Sequence, residues 1–354
     1  MPKRPRKSSN PIGGLFTHTE RQEHVTRQKS SLERLNLAID FEAFRLCLED
    51  NLDYKSLDTS QAQAKLGGRP PFDCVLMFKI LLLQKLYSLS DDQMEFCIYD
   101  RTSFQRFLGL QHEGRIPDAK TIWKFRERLG PEGMEAVFLA FDGLLREKNL
   151  LTTQGTIVDA SFVEVPQQHL TKKEAEDAKE GKANPEWSEP ERRQRDIDAR
   201  HAQKNSEHHF GYKNHIKVHA KSKLIEAYQV TPAHTHDSQV IDKLVTEENA
   251  GDTVYADSAY AGAKIAATLR VCGVAPRIHE RAYRNNPLTN KQKQRNTKLS
   301  RTRARVEHVF GDQINRFRGN IIRSIGKARA ALQIGLGNLL YNLLRLTFLE
   351  AKVS

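Results

Sequence analysis

The order in which hydrophobic patterns follow one another constrains the fold of this chain most strongly. From about Phe41 to Leu150, apolar residues recur at helical spacing. From Thr156 the pattern changes to strand-like runs: three strands come first, followed by helix, strand, helix and strand. Strands reached through helical crossovers can lie parallel to the first strand. The sequence therefore predicts an all-helical N-terminal domain and an α/β domain with helices on the faces of a mixed sheet.

Local signals give this outline approximate boundaries. The five strand-like runs are TIVDASFVEV, HFGYKNHIKVHA, KLIEAYQVTPA, DTVYAD and VAPRIHE. The crossover helices are predicted at about Ser238–Glu248 and Ala261–Cys272. Ser90 and Gln93 have the spacing of a capping box, and Gly130-Pro131 is expected to end a helix. We expect a basic arm at 1–40, the helical domain at 41–150 and the α/β domain at 151–354, with an exposed, partly disordered charged insertion near 170–205.

Charge and cysteine content indicate which kinds of partner and site this chain is expected to have. The 354-residue chain carries a formal net charge of +12, which favours a polyanionic partner such as nucleic acid, although a merely basic protein is the alternative. Its four cysteines are scattered, which argues against a disulfide framework or a thiolate zinc site and fits a reducing cytoplasm. The most apolar run, Val75 to Leu89, contains Lys79 and Lys85 and is predicted to be a core helix that does not span a membrane.

Two aspartates stand where a carboxylate is costly to bury. Asp159 lies in the apolar strand TIVDASF, and Asp257 ends the short strand TVYAD. Taken singly, an acid at a strand end is more often a cap or a turn residue. A strand-helix-strand crossover can, however, place the two strands side by side and bring the two acids within the range of a shared metal ion.

A third acid, Glu307, lies beside an apolar stripe in a predicted helix. The stripe consists of Val306, Phe310, Ile314 and Phe317. Arg303 is one turn before Glu307, so an intrahelical ion pair of little energetic value is the alternative reading. A cluster of carboxylate oxygens suits Mg²⁺ or Mn²⁺, and two such ions can stabilise the attacking and leaving oxygens of a phosphodiester.

These segments together resemble a known family. TIVDASF, YADSAYAG and RARVEHVFGDQINRFRG, in this order, resemble the three catalytic motifs of bacterial insertion-sequence DDE transposases, specifically the insertion sequence five group. RPPFDCVLMFKILLLQKLYSLSDDQMEFCIYDRTSFQRFLGL and IPDAKTIWKFRERL resemble that group's helical N-terminal domain, and FGYKNHIKVHA matches as well. The resemblance covers roughly residues 40–350.

The resemblance implies a catalytic triad of Asp159, Asp257 and Glu307 and an RNase H-like catalytic fold. Related groups also have a tyrosine, an arginine and a later basic residue around the glutamate. Arg303 matches the arginine, whereas Ser300 and Ile314 stand at the other two places. The resemblance further implies a multimeric complex that pairs two DNA ends, with a homodimer as the simplest form.

Basic residues suggest where DNA would be held. The segment Arg281–Arg305 contains nine Lys or Arg and no acid, which favours phosphate contacts over a merely solvated loop. The residues expected to contact DNA from this segment are Lys291, Lys293, Arg295, Lys298, Arg301, Arg303 and Arg305. On the second strand, Lys213, His215, Lys217 and His219 alternate onto one face, as in a DNA-facing strand. A zinc site formed by these histidines with His234 and His236 is a less favoured alternative.

The predicted function is that of a DNA transposase acting on terminal inverted repeats and target DNA. It would cut the ends of an insertion sequence and join them to a target with two divalent ions, Mg²⁺ or Mn²⁺, in the bacterial cytoplasm at the nucleoid. Two alternatives are a nuclease of the same fold without strand transfer and a catalytically inactive DNA-binding regulator. The presence of all three acids argues against the second.

Overall fold

The computed structural model describes residues 30–52, 70–110, 114–153, 155–166, 187–204, 206–283 and 286–353. In these ranges the α-helices are α1 Ser31–Ala38, α2 Arg45–Asn51, α3 Cys74–Tyr87, α4 Asp91–Asp100, α5 Thr102–Leu108, α6 Ala119–Glu147, α7 Glu189–Arg193, α8 Ile241–Leu244, α9 Ala263–Val271, α10 Asn290–Phe317 and α11 Lys327–Val353. The strands are β1 Thr156–Glu164, β2 Arg200–Lys204, β3 Glu207–His219, β4 Ile225–Pro232, β5 Thr253–Ala256 and β6 Ala275–Ile278. None of the helices in these ranges is both long and apolar enough to cross a membrane.

The N-terminal helices begin and bend where local chemistry requires. Ser90 and Gln93 form the predicted capping box at the start of α4. Gly130, at φ 59° and ψ 179°, sharply bends α6 just before Pro131, which confirms the predicted helix break. The predicted arm at 1–40 is wrong for its last residues, because 31–38 already form α1 and bury Leu32 and Leu35. Residues 1–29 lie outside the described ranges.

The sheet has the predicted mixed topology. β3 pairs antiparallel with β1 and with β4, whereas β1, β5 and β6 are parallel to one another. The resulting order, β4-β3-β1-β5-β6, places three antiparallel strands next to two strands reached by crossovers. This is the RNase H-like arrangement.

Two details of the α/β region differ from the expectation. Within the predicted charged insertion, residues 167–186 lie outside the described ranges, but 187–204 form α7 and β2, and β2 pairs with the end of β3. The helix expected at Ser238–Glu248 is instead the short α8 between two 3₁₀ helices, because Val245 is extended and interrupts it. The other crossover helix, α9, was predicted correctly to within two residues.

One apolar core joins the helical region to one face of the sheet. Phe44, Phe78 and Phe141 from the N-terminal helices belong to the same buried cluster as Ile157 and Ile216 from the sheet. The long C-terminal helix α11 contributes Leu336, Leu339, Leu340 and Leu343 to this cluster. A second cluster, which includes Val158 and Tyr260, lies under α8 and α9 on the other face. The sheet is therefore covered on both faces.

Buried amides hold the last two helices against the sheet. Asn338 of α11 and Asn214 of β3 exchange two hydrogen bonds of 2.9 and 3.1 Å between their side chains. Gln313 of α10 donates to the same Asn338 oxygen at 3.0 Å. Each amide is at most 5% exposed, so loss of any partner would leave buried polar atoms unsatisfied. These contacts fix the position of α10 relative to β3.

We predict that Gly335→Ala destabilises the protein by about 1–3 kcal/mol, because overpacking forces the surroundings to move. A Cβ at Gly335 of α11 would lie 2.3 Å from the hydroxyl oxygen of Tyr228, whose ring packs edge-on against Phe138. Gly143 of α6 is the matched control, since its Cβ would meet nothing within 4 Å. Gly143→Ala should stabilise the helix by roughly 0.5–1 kcal/mol. Denaturant unfolding checks both, and equal effects of the two substitutions would contradict the packing.

Candidate active site

The parallel pairing of β1 with β5 brings the two predicted aspartates to one edge of the sheet. Thr156 pairs with Val254 and Ile157 with Tyr255. Continued along both strands, this register places Asp159 level with Asp257, just beyond the end of β5. The carboxylate of Asp257 also raises the pKa of Asp159 by charge repulsion. The crossover between these strands therefore brings together two acids that are far apart in sequence.

Both aspartates have one carboxylate oxygen fixed by the backbone. Asp159 Oδ1 accepts a 2.9 Å hydrogen bond from the Ala160 N–H. Asp257 Oδ1 accepts a 2.8 Å hydrogen bond from the Ala259 N–H and so caps the 3₁₀ helix Ser258–Tyr260. Asp257 therefore has the capping role that is common for an acid at a strand end. This role uses only one of its two carboxylate oxygens.

Arg303 connects the third acid to the first. Its guanidinium donates from Nη1 to Asp159 Oδ2 at 2.9 Å and from Nη2 to Glu307 Oε1 at 3.5 Å. The Glu307 side chain is 63% exposed, whereas that of Asp159 is only 13% exposed. The intrahelical Glu-Arg pair that the sequence left open is present, and it extends to a carboxylate on the sheet. A cation therefore already lies between two of the three acids.

Burial makes Asp159 an unusual carboxylate. Loss of hydration raises its pKa to about 6, although the nearby Arg303 guanidinium and the Ala160 N–H oppose this rise. Carboxyls with strongly shifted pKa values are common at functional sites. The charged form of Asp159 is consequently stabilised by any further positive charge brought to this edge of the sheet.

Sequence reasoning did not single out two neighbours of these acids. Tyr260 is fully buried, and its hydroxyl has no hydrogen-bond partner among the described residues. Burial and the carboxylates of Asp237, Asp159 and Asp257 raise the pKa of Tyr260. His279 follows β6, and its Nε2 lies 3.3 Å from Ser300 Oγ. Tyr260 lies in the motif YADSAYAG, which could have indicated its place near the acids. For His279, the sequence offered only its position directly after the last strand.

The face of β3 that was predicted to contact DNA is covered in this structure. Lys217 is 5% exposed, and its Nζ donates to Asn249 Oδ1 at 3.1 Å and lies 3.4 Å from Glu226 Oε2. Lys213 donates from Nζ to Asp237 Oδ1 and to the Thr235 carbonyl, each at 2.8 Å. The alternation was read correctly, but the chain between β4 and β5 covers this face. Neither lysine is available to a phosphate in this structure.

Three of the four histidines of the zinc alternative, His215, His219 and His236, lie within hydrogen-bond distance of hydroxyl groups instead. His215 Nε2 lies 2.8 Å from Thr231 Oγ1, and His219 Nδ1 lies 2.7 Å from Ser222 Oγ. His236 Nδ1 lies 2.7 Å from Ser238 Oγ. In the part of the chain that the structure describes, no group of three or more His, Cys, Asp or Glu is placed to hold a metal ion. Asp159, Asp257 and Glu307 are among these described residues, so their carboxylates do not form the predicted metal-binding cluster in this structure.

The acid-free basic run is mainly helical, because Thr289 and Gln292 form a capping box that starts α10 before the apolar stripe. Three of its cations have partners: Arg295 binds Glu280, Arg305 donates to the Ala220 carbonyl, and Arg303 binds the acids described above. The remaining four predicted DNA contacts on α10, Lys291, Lys293, Lys298 and Arg301, are exposed.

Two family models and one solved structure are similar to this chain. Residues 151–343 match a family model described as "Transposase DDE domain", and residues 19–128 match one described as "Transposase domain (DUF772)". Among solved structures, a cryo-EM structure of the piggyBac transposase synaptic complex with hairpin DNA matches with a TM-score of 0.46 and 11% identity, covering 90% of this chain and 76% of that one.

The described chain combines a helical region with a mixed sheet of RNase H-like order that carries acids at one edge. Because the first family model spans more than half of the chain, the chain belongs to the DDE transposase family. It is a DNA transposase, an enzyme that cleaves DNA and transfers strands. Dependence on divalent metal ions is general in this family.

The raised pKa of Asp159 predicts a pH-dependent loss of stability. Between about pH 4 and pH 6 the unfolded chain releases the Asp159 proton while the folded protein keeps it, so stability falls as pH rises. The shift from 3.8 to about 6 corresponds to about 3 kcal/mol. The measurement is the free energy of unfolding of the wild type and of Asp159→Asn in metal-free buffer. The wild-type value minus the variant value should fall by about 3 kcal/mol between about pH 4 and pH 6. A difference that is independent of pH would contradict the burial of this charge.

Proposed function

We propose that Asp159, Asp257 and Glu307 hold divalent ions, Mg²⁺ or Mn²⁺ and two in number, and with them cut the ends of an insertion sequence and join those ends to target DNA. The observation that carries the proposal is the position of the Arg303 guanidinium. It binds Asp159 and Glu307, which come from a strand and a helix far apart in sequence, next to Asp257. Two of the three acids, Asp159 and Glu307, already share a positive charge at the edge of the sheet.

The donor set suits such ions, whereas the arrangement does not yet enclose one. Carboxylate oxygens are the ligands that Mg²⁺ and Mn²⁺ prefer. Asp159 is buried enough that its charge needs a cation, and the exposed Glu307 side chain is free to change rotamer. Arg303 occupies the space between them, so metal binding would require its guanidinium to move aside. When bound, the ions supply charge stabilisation to the attacking and leaving oxygens of the scissile phosphodiester.

The chain's own residues position the reaction. The Ala160 and Ala259 N–H groups fix one oxygen each of Asp159 and Asp257, and the second oxygen of Asp159 accepts from Arg303. Glu307 approaches from α10. Water is the first nucleophile, and the freed 3′-hydroxyl of the DNA is the second. Both attack phosphorus directly, so no covalent bond between protein and DNA is needed.

The proposed partners follow from the same reaction. The helical N-terminal region helps to bind the terminal inverted repeats, and a homodimer or larger multimer pairs two ends before target joining. We assign the chain to the insertion sequence five group because of the three motifs that contain Asp159, Asp257 and Glu307. We expect it to act in the bacterial cytoplasm, at the nucleoid. A nuclease without strand transfer would give cleaved ends but no joined products, and an inactive regulator would give neither.

We predict that Asp159→Asn, Asp257→Asn and Glu307→Gln each abolish cleavage of element ends in Mg²⁺ while leaving end binding nearly intact. The amides keep the shape of the side chains but remove the charge that holds a cation. Asp312→Asn is the matched control, because Asp312 is a carboxylate on α10 that pairs only with Arg316 among the described residues. Gel assays of cleavage and strand transfer check this. Cutting by any of the three purified variants would refute that residue's role.

We also predict that the exposed cations of α10 contact phosphates irrespective of sequence. Replacing Lys291, Lys293 and Lys298 with alanine should lower the slope of log affinity against log salt by about 0.9 per lost contact on duplex DNA. Affinity for specific and random duplexes should fall by similar factors. Arg295→Ala should have a smaller effect, because Arg295 is paired with Glu280. Loss of preference for the terminal repeats with an unchanged slope would instead make α10 a reader of sequence.

A further inference from the structure

A basic cleft, which we call the α3–α10 cleft, separates the helical region from the chain that follows α10. One wall contains Lys85 and Ser88 at the end of α3, and the other contains Phe317, Arg318 and Arg323. Where the two walls meet, Ser88 Oγ donates a 3.3 Å hydrogen bond to the Phe317 carbonyl. The cleft is thus continuous with the helix that carries Arg303 and Glu307.

Lys85 is the feature of this cleft that most needs an explanation. It is only 9% exposed, on a helix that is otherwise almost entirely apolar. Within the described residues its Nζ makes no hydrogen bond or ion pair, and the nearest aromatic ring, that of Phe317, is centred 6.0 Å away. Burial lowers the pKa of Lys85 to about 8. A buried cation without a counter-ion costs stability, so an anion that entered the cleft would relieve that cost.

The other charges around the cleft leave it positive. Arg318 and Arg323 are exposed on the opposite wall. The one carboxylate among the lining residues, Asp91, is already satisfied, because it accepts hydrogen bonds of 2.7 and 2.8 Å from Arg126 and one of 2.7 Å from Gln84. The charges of Arg126 and Asp91 therefore neutralise each other. The remaining charges, Lys85, Arg318 and Arg323, line the same cleft, and the described lining holds no other carboxylate to neutralise them.

The position of the cleft favours a particular anion. Phe317 lies ten residues after Glu307 on the same helix, which corresponds to about 15 Å along its axis. At about 3.4 Å per base step, this is roughly four base pairs of duplex. A DNA strand that enters the active site beside Glu307 can therefore reach the cleft within one half-turn of duplex. Lysine and arginine together are the usual ligands of such phosphates.

We propose that the α3–α10 cleft binds a backbone phosphate of the DNA substrate, held by Lys85 from α3 and by Arg318 and Arg323 from the chain after α10. The inference rests on the proposed function, because it takes the DNA to be bound across the edge of the sheet. It assigns Lys85 a role in binding DNA, and it makes the junction between the helical region and the catalytic sheet part of the DNA-binding surface.

The test compares Lys85→Met with Lys79→Met in the full-length protein. Lys79 is a matched control because it lies on the same helix, burial also lowers its pKa to about 8, and its Nζ faces the rings of Phe41 and Phe107 outside the cleft. The probe is a labelled random-sequence duplex, titrated at several salt concentrations. Lys85→Met should lose roughly threefold to tenfold in affinity at low salt and lower the salt slope by about 0.9, and Lys79→Met should do neither.

Thermal unfolding provides a second readout. Methionine removes a buried, unpartnered charge, so Lys85→Met should unfold at the same temperature as the wild type or a higher one, although it binds DNA more weakly. Phosphate stabilises folded proteins in general because it is excluded from their surface, so the readout is a difference between two proteins. At equal ionic strength, replacing chloride with inorganic phosphate should raise the unfolding temperature of the wild type more than that of Lys85→Met. If Lys85→Met fails to fold, Arg323→Gln replaces it in the duplex titration, with Lys327→Gln as its control.

The outcomes separate the two proposals. Equal salt slopes for Lys85→Met and Lys79→Met would overturn the cleft proposal even if the carboxylate variants lose cleavage as predicted. Stabilisation by phosphate through Lys85 with an unchanged duplex slope would also overturn it, because the ligand would then be free phosphate. Conversely, cleavage by the carboxylate variants would refute the proposed catalytic site, while a lowered slope for Lys85→Met would still support the cleft.

Discussion

The side-chain amide of Asn338 is the contact on which the geometry of the active site depends most. It is fully buried in α11, exchanges hydrogen bonds with Asn214 of β3, and accepts a third from Gln313 of α10. An apolar interface would tolerate sliding between helix and sheet, whereas a buried amide network has one arrangement that satisfies every donor and acceptor. Glu307 lies on α10 six residues before Gln313. Its position above the sheet is therefore set by a hydrogen-bond network that has no part in the chemistry.

A second constraint is the conflict between burial and charge at Asp159. The strand around it is apolar because β1 is a central strand of the sheet, and the same environment raises the pKa of its carboxyl. Arg303 partly resolves the conflict by donating to Asp159 while also contacting Glu307. Under the proposed function, divalent ions would replace this guanidinium as the positive charge. The guanidinium of Arg303, no longer bound to Asp159, would then be free to donate to a phosphate of the DNA.

The features that could be predicted from sequence are those determined by local patterns. The capping box of Ser90 and Gln93 and the bend at Gly130 depend on residues close in the chain, and both were predicted correctly. Five of the six described strands were also predicted from local patterns, whereas β2 was not. Asp159 and Asp257 were placed side by side because a crossover between parallel strands has few alternatives. Motif similarity supplied Glu307, which periodicity alone would have assigned to a surface ion pair.

The features that could not be predicted depend on contacts between distant segments. Lys217 looked like a DNA contact because alternation does not reveal that both faces of β3 are covered, or that Glu226 on the neighbouring strand would pair with it. β2 has no apolar alternation and forms because β3 extends far enough to offer it an edge. Lys85 interrupts an apolar run, and nothing local indicates that Arg318 and Arg323 would face it across a cleft.

The most direct test of the central claim is to locate bound metal. A crystal structure of the protein with Mn²⁺ and a DNA end, with the ions located by anomalous scattering, would show where the positive charge lies. The proposed site requires ions about 2.0–2.6 Å from carboxylate oxygens of Asp159 and of Asp257 or Glu307, with the Arg303 guanidinium displaced from Asp159. Mn²⁺ bound elsewhere, with Arg303 still joining Asp159 to Glu307, would contradict it.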